Sequence, residues 1–113
     1  MLTGSGQAAN YYAVFNICEA GDHVVLSSTV YGGTFNLLAV TMKKSGRILY
    51  CRRPGCGLRD DLQGVPAQSK CVMAESLANP ALVVLDFEKF RRAAHAHHVP
   101  LIVDNTFPTP DQL

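Results

Sequence analysis

The sequence predicts a doubly wound α/β domain, a mostly parallel sheet with helices on both faces. Helical stripes and short apolar runs alternate along it in the order helix, strand, helix, strand, helix, strand. Such alternation sets parallel strands side by side through right-handed crossovers. The final apolar run, Leu101-Ile-Val103, also passes directly into the polar cluster Asp104-Asn-Thr106. A buried parallel strand has this form when it delivers side chains to a site at its carboxyl end.

Each element has its own justification. Ser5 is a candidate N-cap, and Ala9, Tyr12, Ala13 and Ile17 follow at helical spacing, so a helix is expected from about Gly6 to Glu19, stopping near Gly21. His23 to Ser27 reads as a short strand. After Tyr31-Gly-Gly33, the stripe Phe35, Leu38, Ala39, Met42 marks a second helix, with Lys43 and Lys44 at the negative end of its dipole and Gly46 as its stop. Cys71 to Ala74 is the next strand. Asp86 caps a third amphipathic helix carrying Phe87, Phe90 and Ala94, and Pro100 introduces the strand Leu101-Ile-Val103.

Composition bounds what such a domain can do. The chain has 113 residues, of which 48% are apolar and 17% charged, enough for one folded, soluble domain with one core. A net charge of +1 supplies no basic stripe, so nucleic acid and anionic membrane are not expected as partners. No apolar run reaches the roughly 20 residues of a membrane span, and Met1-Leu-Thr-Gly-Ser5 does not resemble a signal peptide, so the cytoplasm is the expected compartment. There Cys18, Cys51, Cys56 and Cys71 are expected to be thiols.

Several residues are candidates for chemistry. Ser5-Gly6-Gln7 at a helix start offers backbone N–H groups and a positive dipole end to a phosphate, or is simply a capped helix. Tyr31 before Gly32-Gly33 presents a ring to a flat ligand, or is a half-buried turn residue. Asp104, at the end of a strand expected to be buried, needs a partner for its charge. Either a protonated ring nitrogen answers that need, or Asp104 caps the turn through Asn105 and Thr106. Glu75 and Asn79 pose the same question on the neighbouring strand, where Pro80 fixes the turn. His95, His97 and His98 crowd one helix end and Cys51 stands near Cys56, but neither spacing gives a closed zinc set, so no metal is expected.

Taken in order, four blocks resemble the pyridoxal-phosphate enzymes of cysteine and methionine metabolism, and most closely their O-acetylhomoserine sulfhydrylases. These are Ser5-Gly6-Gln7 through Asn16, Gly21 through Thr34-Phe-Asn36, Glu75-Ser-Leu-Ala-Asn79-Pro80, and Ala93 through Val103-Asp104-Asn-Thr106-Phe. The resemblance implies the large domain of a fold-type I (aspartate aminotransferase-like) transferase, present in part over 1–113. It implies pyridoxal 5'-phosphate as cofactor, with Gly6 and Gln7 at the phosphate, Tyr31 stacked on the ring and Asp104 at the ring nitrogen. Thr106 would lie beside that contact, Asn79 near the phenolic oxygen and the substrate carboxylate, and Glu75 would support the strand end. It further implies homo-oligomers that replace the acetate of O-acetylhomoserine by sulfide, giving homocysteine.

The chain also departs from the family pattern. The Schiff-base lysine of the family lies in a Ser-x-Thr-Lys motif downstream of the Asp-Asn-Thr block, and Lys43, Lys44, Lys70 and Lys89 match no part of it. No catalytic residue is therefore assigned, and the chain as written is expected to be inactive. Between Gly46 and Lys70 the family's acidic segment is replaced by Arg52-Arg-Pro-Gly-Cys56-Gly-Leu-Arg59 and Val65-Pro-Ala-Gln68. Read one base further along, Cys51-Arg-Arg-Pro-Gly-Cys-Gly57 permits Val-Asp-Asp-Pro-Asp-Ala-Asp, and Val65 to Gln68 permits Phe-Arg-Pro-Asn. With the same offset, Asp111-Gln-Leu113 permits Ile-Asn-Cys. Residues 47–69 and 111–113 are thus expected to be frame-displaced, the alternative for 52–68 being a divergent exposed loop. The competing functional expectations are a non-catalytic product of a frameshifted or misassembled gene, and a piece of the related cystathionine γ-synthase or methionine γ-lyase.

Overall fold

Four strands run in the same direction. In the computed structural model, which describes residues 1–27, 29–46, 48–52 and 67–109, β1 (His23–Ser27), β2 (Ile48–Arg52), β3 (Ser69–Glu75) and β4 (Leu101–Asp104) form one parallel sheet. Its order is β2-β1-β3-β4. His23 stands opposite Ile48 on one side and Ser69 on the other, and at the far end Glu75 stands opposite Asp104. The chain leaves β1 to one side for β2 and takes up β3 on the other, so strand order reverses between β1 and β3. In open α/β sheets that reversal opens a crevice at the carboxyl ends of the strands.

Helices cover both faces, as the alternation predicts. Along each central strand the side chains alternate between two apolar clusters, the pattern of strands buried on both sides. On one face Val24, Leu26, Cys71 and Met73 pack with Val14 and Cys18 and with Leu37, Leu38 and Met42. These come from α1 (Gly6–Phe15) and its following turn, and from the π-helical stretch Leu37–Met42 that continues α2 (Gly32–Asn36). On the other face Val25, Val72 and Leu101 pack with Phe90 and Ala94 of α3 (Phe87–Ala96). Cys18 and Cys71 are buried in this core without a disulfide between them, and burial pushes the Cys71 thiol up, which disfavours its thiolate. No described helix is long and apolar enough to cross a membrane.

The predicted caps form. Ser5 Oγ accepts from Ala8 N at 3.1 Å, and Asp86 Oδ1 accepts from Lys89 N at 3.0 Å. Gly46 follows the end of the second helix at φ +86°, whereas Gly21, at φ +94°, lies in the turn before β1, six residues after α1 ends; both occupy the left-handed region that glycine enters without strain, and Gly21 N donates to Gly46 O.

Three expectations are corrected. α1 ends at Phe15 rather than Glu19, and its inward face is Tyr11, Val14 and Cys18, while Tyr12 and Ile17 of the predicted stripe are exposed. The helix is apolar nearly all round, so periodicity alone does not choose its face. In the second helix Phe35 is exposed and Leu37 is buried instead. The wide π turn brings residues five apart, Leu37 and Met42, onto one side. Finally, β2 is a strand the alternation did not include. Of the segment 47–69 expected to be frame-displaced, residues 47 and 53–66 lie outside the described residues, as do Cys56, the side chain of Cys51 and the tail 111–113.

Candidate functional site

The carboxyl edge of the sheet is where the polar residues gather, and the chain topology explains why. α1 runs opposite to β1, so its N-terminus lies at this edge, beside the residues that follow β1, β3 and β4. Between them is a cleft of about 320 Å³. Gly6, Gln7 and Asn10 of α1, Tyr31 and Thr34 after β1, Glu75 and Asn79 around the end of β3, and Asp104 and Thr106 at the end of β4 line it. All six residues singled out from the sequence, namely Gly6, Gln7, Tyr31, Asn79, Asp104 and Thr106, therefore meet in one place.

The helix end is open to a ligand. Ser5 engages the amides of Ala8 and Ala9 through its hydroxyl and carbonyl, which leaves those of Gly6 and Gln7 at the positive end of the dipole. A Cβ on Gly6 would meet no protein atom within 4 Å, so the space above this turn is free for a group to approach the backbone. Gln7 turns its side chain away to donate from Nε2 to Gly33 O at 3.2 Å.

Tyr31, 53% exposed, is the N-cap of α2, and its ring lies over Gly33. A Cβ on Gly33 would come within 2.7 Å of the ring. Here glycine makes a seat rather than a turn. The backbone of Tyr31 is fixed from the sheet, because its N–H donates to Glu75 Oε1 at 2.7 Å. This is half of a capping box supplied from another element. Glu75 is 8% exposed, and burial raises its pKa. The Tyr31 amide opposes that rise and the charge on Asp104 adds to it.

Asp104 has the opposite tendency. Burial pushes its carboxyl up, but hydrogen bonds from the Thr106 hydroxyl, from Asn10 and from the Thr106 amide outweigh it and hold the pKa below the ordinary value. Oδ1 takes both Thr106 donors, the amide at 3.0 Å, and Oδ2 accepts from Asn10 Nδ2 at 2.9 Å. Thus Asp104, which lines the cleft, does cap the turn after β4 with one oxygen, as one reading of the sequence had it, while the other oxygen accepts from Asn10 of α1. Ser76 ties the two strand ends together by donating from N to Asp104 O and from Oγ to Asn105 Oδ1.

Asn10 and Thr34, which line the cleft, and Ser76, which supports the strand end behind it, are residues whose part the sequence did not disclose. Asn10 reaches Asp104 from 94 positions away, and no local pattern encodes that pairing.

These donors suit pyridoxal phosphate by their chemistry: free helix-end amides for a phosphate, an aromatic face beside them, and an ionised carboxylate for a protonated ring nitrogen. Comparison with known proteins points the same way. The profile of the family described as Cys/Met metabolism PLP-dependent enzyme matches residues 1–113. The chain is 41% identical over 104 residues to the sulfhydrylase FUB7 of Fusarium oxysporum f. sp. lycopersici, covering 92% of this chain and 24% of that one. It is 40% identical over 106 residues to a cystathionine β-lyase of Lactococcus lactis subsp. cremoris, covering 94% and 28%. A solved structure of a putative O-acetylhomoserine (thiol)-lyase from Campylobacter jejuni, which contains N'-pyridoxyl-lysine-5'-monophosphate, superposes with a TM-score of 0.88 at 34% identity, covering 95% and 26%. The chain thus spans about a quarter of the length of the relatives it matches.

Proposed function

The chain belongs to the Cys/Met metabolism family of PLP-dependent enzymes, whose fold-type I architecture its sheet and helices share, and on that premise we propose that it carries the phosphate and ring subsites of an O-acetylhomoserine sulfhydrylase. The protein to which these residues belong would replace the γ-acetate of O-acetylhomoserine by sulfide and release homocysteine. One observation carries the reading: the α1 N-terminus, the Tyr31 ring and the Asp104 carboxylate line a single cleft at the carboxyl edge.

The residues divide the work. The amides of Gly6 and Gln7 bind the phosphate at the helix end. Tyr31 covers one face of the ring from its seat on Gly33. Asp104 pairs with the ring nitrogen and keeps a proton on it, with Thr106 holding the carboxylate in place. Asn79, which lines the cleft, would meet the phenolic oxygen and the substrate carboxylate. When bound, pyridoxal phosphate supplies an electron sink for carbanion chemistry on the amino acid.

The test is an assay of the whole gene product with the cofactor and either O-acetylhomoserine plus sulfide or cystathionine. Homocysteine and acetate from the first mixture support the sulfhydrylase. Turnover confined to cystathionine moves the protein to the related synthases and lyases.

A second reading rests on residues 47–69 and 111–113, where a one-base offset restores the family pattern three times. There the written sequence would be the product of a displaced frame. Resequencing from the codon of Met42 to beyond that of Leu113 decides it: single-base changes near Arg47, Ser69 and Asp111 support displacement, and unchanged bases reject it in favour of a divergent loop.

A further inference from the structure

Asn10 stands one helical turn below the open end of α1, part-buried against the sheet edge. Its amide nitrogen has two hydrogens and two acceptors: Asp104 Oδ2 at 2.9 Å and Thr34 Oγ1 at 3.3 Å. Thr34 is itself only 3% exposed, so Asn10 is pinned from α2 while it reaches β4. The amide orientation follows from chemistry, since the reverse would set two acceptor oxygens against each other. With Thr106 giving two donors to Oδ1, every hydrogen-bond partner of the Asp104 side chain among the described residues is a donor. A proton on Oδ2 would make it a weaker acceptor for the Asn10 hydrogen bond.

We propose that Asn10 is a positioning residue for the cofactor's ring nitrogen, acting through Asp104: it fixes the plane of the carboxylate and keeps Oδ2 ionised and turned to the cleft. The inference rests on the cofactor reading above and adds a residue to it. It makes α1 a two-point support, binding phosphate at its end through Gly6 and Gln7 and setting the ring-nitrogen partner one turn later through Asn10. Among the described residues the acidic register partner of Asp104 is Glu75 on β3, whose pKa the Asp104 charge helps to raise. What opposes ionisation of Asp104 itself is burial, and the donation from Asn10 is one of the hydrogen bonds that offset it. The two hydrogen bonds of Asn10 also couple the α2 that carries Tyr31 to the β4 that carries Asp104.

Two substitutions of similar size test this in the full chain. Asn10→Leu removes the donor, and Asn10→Asp replaces it with a second carboxylate. Two quantities are read: the midpoint of the Asp104 carboxyl titration by carbon-13 NMR without cofactor, and the affinities for pyridoxal phosphate and for its 1-deaza analogue, which lacks the ring nitrogen. The Asp104 midpoint is expected to rise in Asn10→Leu and further in Asn10→Asp. Affinity for pyridoxal phosphate should fall about tenfold in Asn10→Leu, the loss of one charge-assisted hydrogen bond, while affinity for the deaza analogue stays as it was. An unchanged midpoint, or an equal loss for both ligands, overturns the inference, because a merely structural residue would weaken both alike. If the unsubstituted chain binds neither ligand, or both equally, the cofactor reading falls instead, and the midpoint alone then judges the link between Asn10 and Asp104.

Discussion

At the scale of single residues, the site depends on what neighbouring groups forbid. Gly33 has no side chain because the Tyr31 ring occupies that space, 2.7 Å from where a Cβ would be. Gly33→Ala adds helix propensity in α2, so thermal unfolding should show stability unchanged or raised by up to about 1 kcal/mol. The displaced ring should nevertheless weaken cofactor binding several-fold, as read by tyrosine fluorescence quenching; equal affinities would mean that the seat is idle. Glu75 and Asp104 respond to pH in opposite senses. Glu75 has a raised pKa in the folded chain, so its contribution is full below the ordinary glutamate value of about 4.3 and is lost as pH rises through the folded value. Asp104 has a lowered pKa, so its contribution is present above the ordinary aspartate value and is lost as pH falls through the folded one. Glu75→Gln keeps an oxygen for the Tyr31 amide and should flatten the decline in melting temperature between acid and neutral pH. A decline as steep as before would assign it to other groups. At this scale the sequence exposed the residues with unusual neighbours in the chain, such as Asp104 after an apolar run, and hid those such as Asn10 whose partners come from other elements.

At the scale of elements, local chemistry was readable where it is local. Ser5 and Asp86 cap their helices through bonds to residues three positions on, and β1 has the limits its apolar run implies. The π stretch Leu37–Met42 was not readable, because its wide turn answers to packing against β1 and β3 rather than to a 3.6-residue period. Nor was the face of α1, where Tyr11, Val14 and Cys18 face the core while Tyr12, Phe15 and Ile17 do not. The two caps should separate stability from binding. Ser5→Ala and Asp86→Ala should each cost about 1 kcal/mol in denaturant unfolding. Ser5→Ala alone should also weaken cofactor binding, because the N-terminus of α1 lines the cleft and that of α3 does not. Equal effects on binding from both would detach the cleft from the α1 end.

At the scale of the whole molecule, the topology makes the site. The order β2-β1-β3-β4 leaves a crevice where the chain changes direction, and the crossovers into β3 and β4 return Glu75 and Asp104 to the same edge. That architecture was legible from the alternation of elements, and the family from four blocks in order, but the fit between them is a property of the fold. The outer side of α1 and the 82–84 loop expose Tyr12, Phe15, Leu82 and Val84, an apolar surface on a chain that spans about a quarter of its relatives' length. The most direct test is a titration of the labelled chain with pyridoxal phosphate, followed by NMR of backbone amides, tyrosine rings and carboxyl carbons. We expect the amides of Gly6 and Gln7, the ring of Tyr31 and the carboxyl of Asp104 to shift together along one saturating curve. Shifts confined to surface lysines such as Lys43 and Lys44, or none that saturate, would contradict a cofactor site at the carboxyl edge of this sheet.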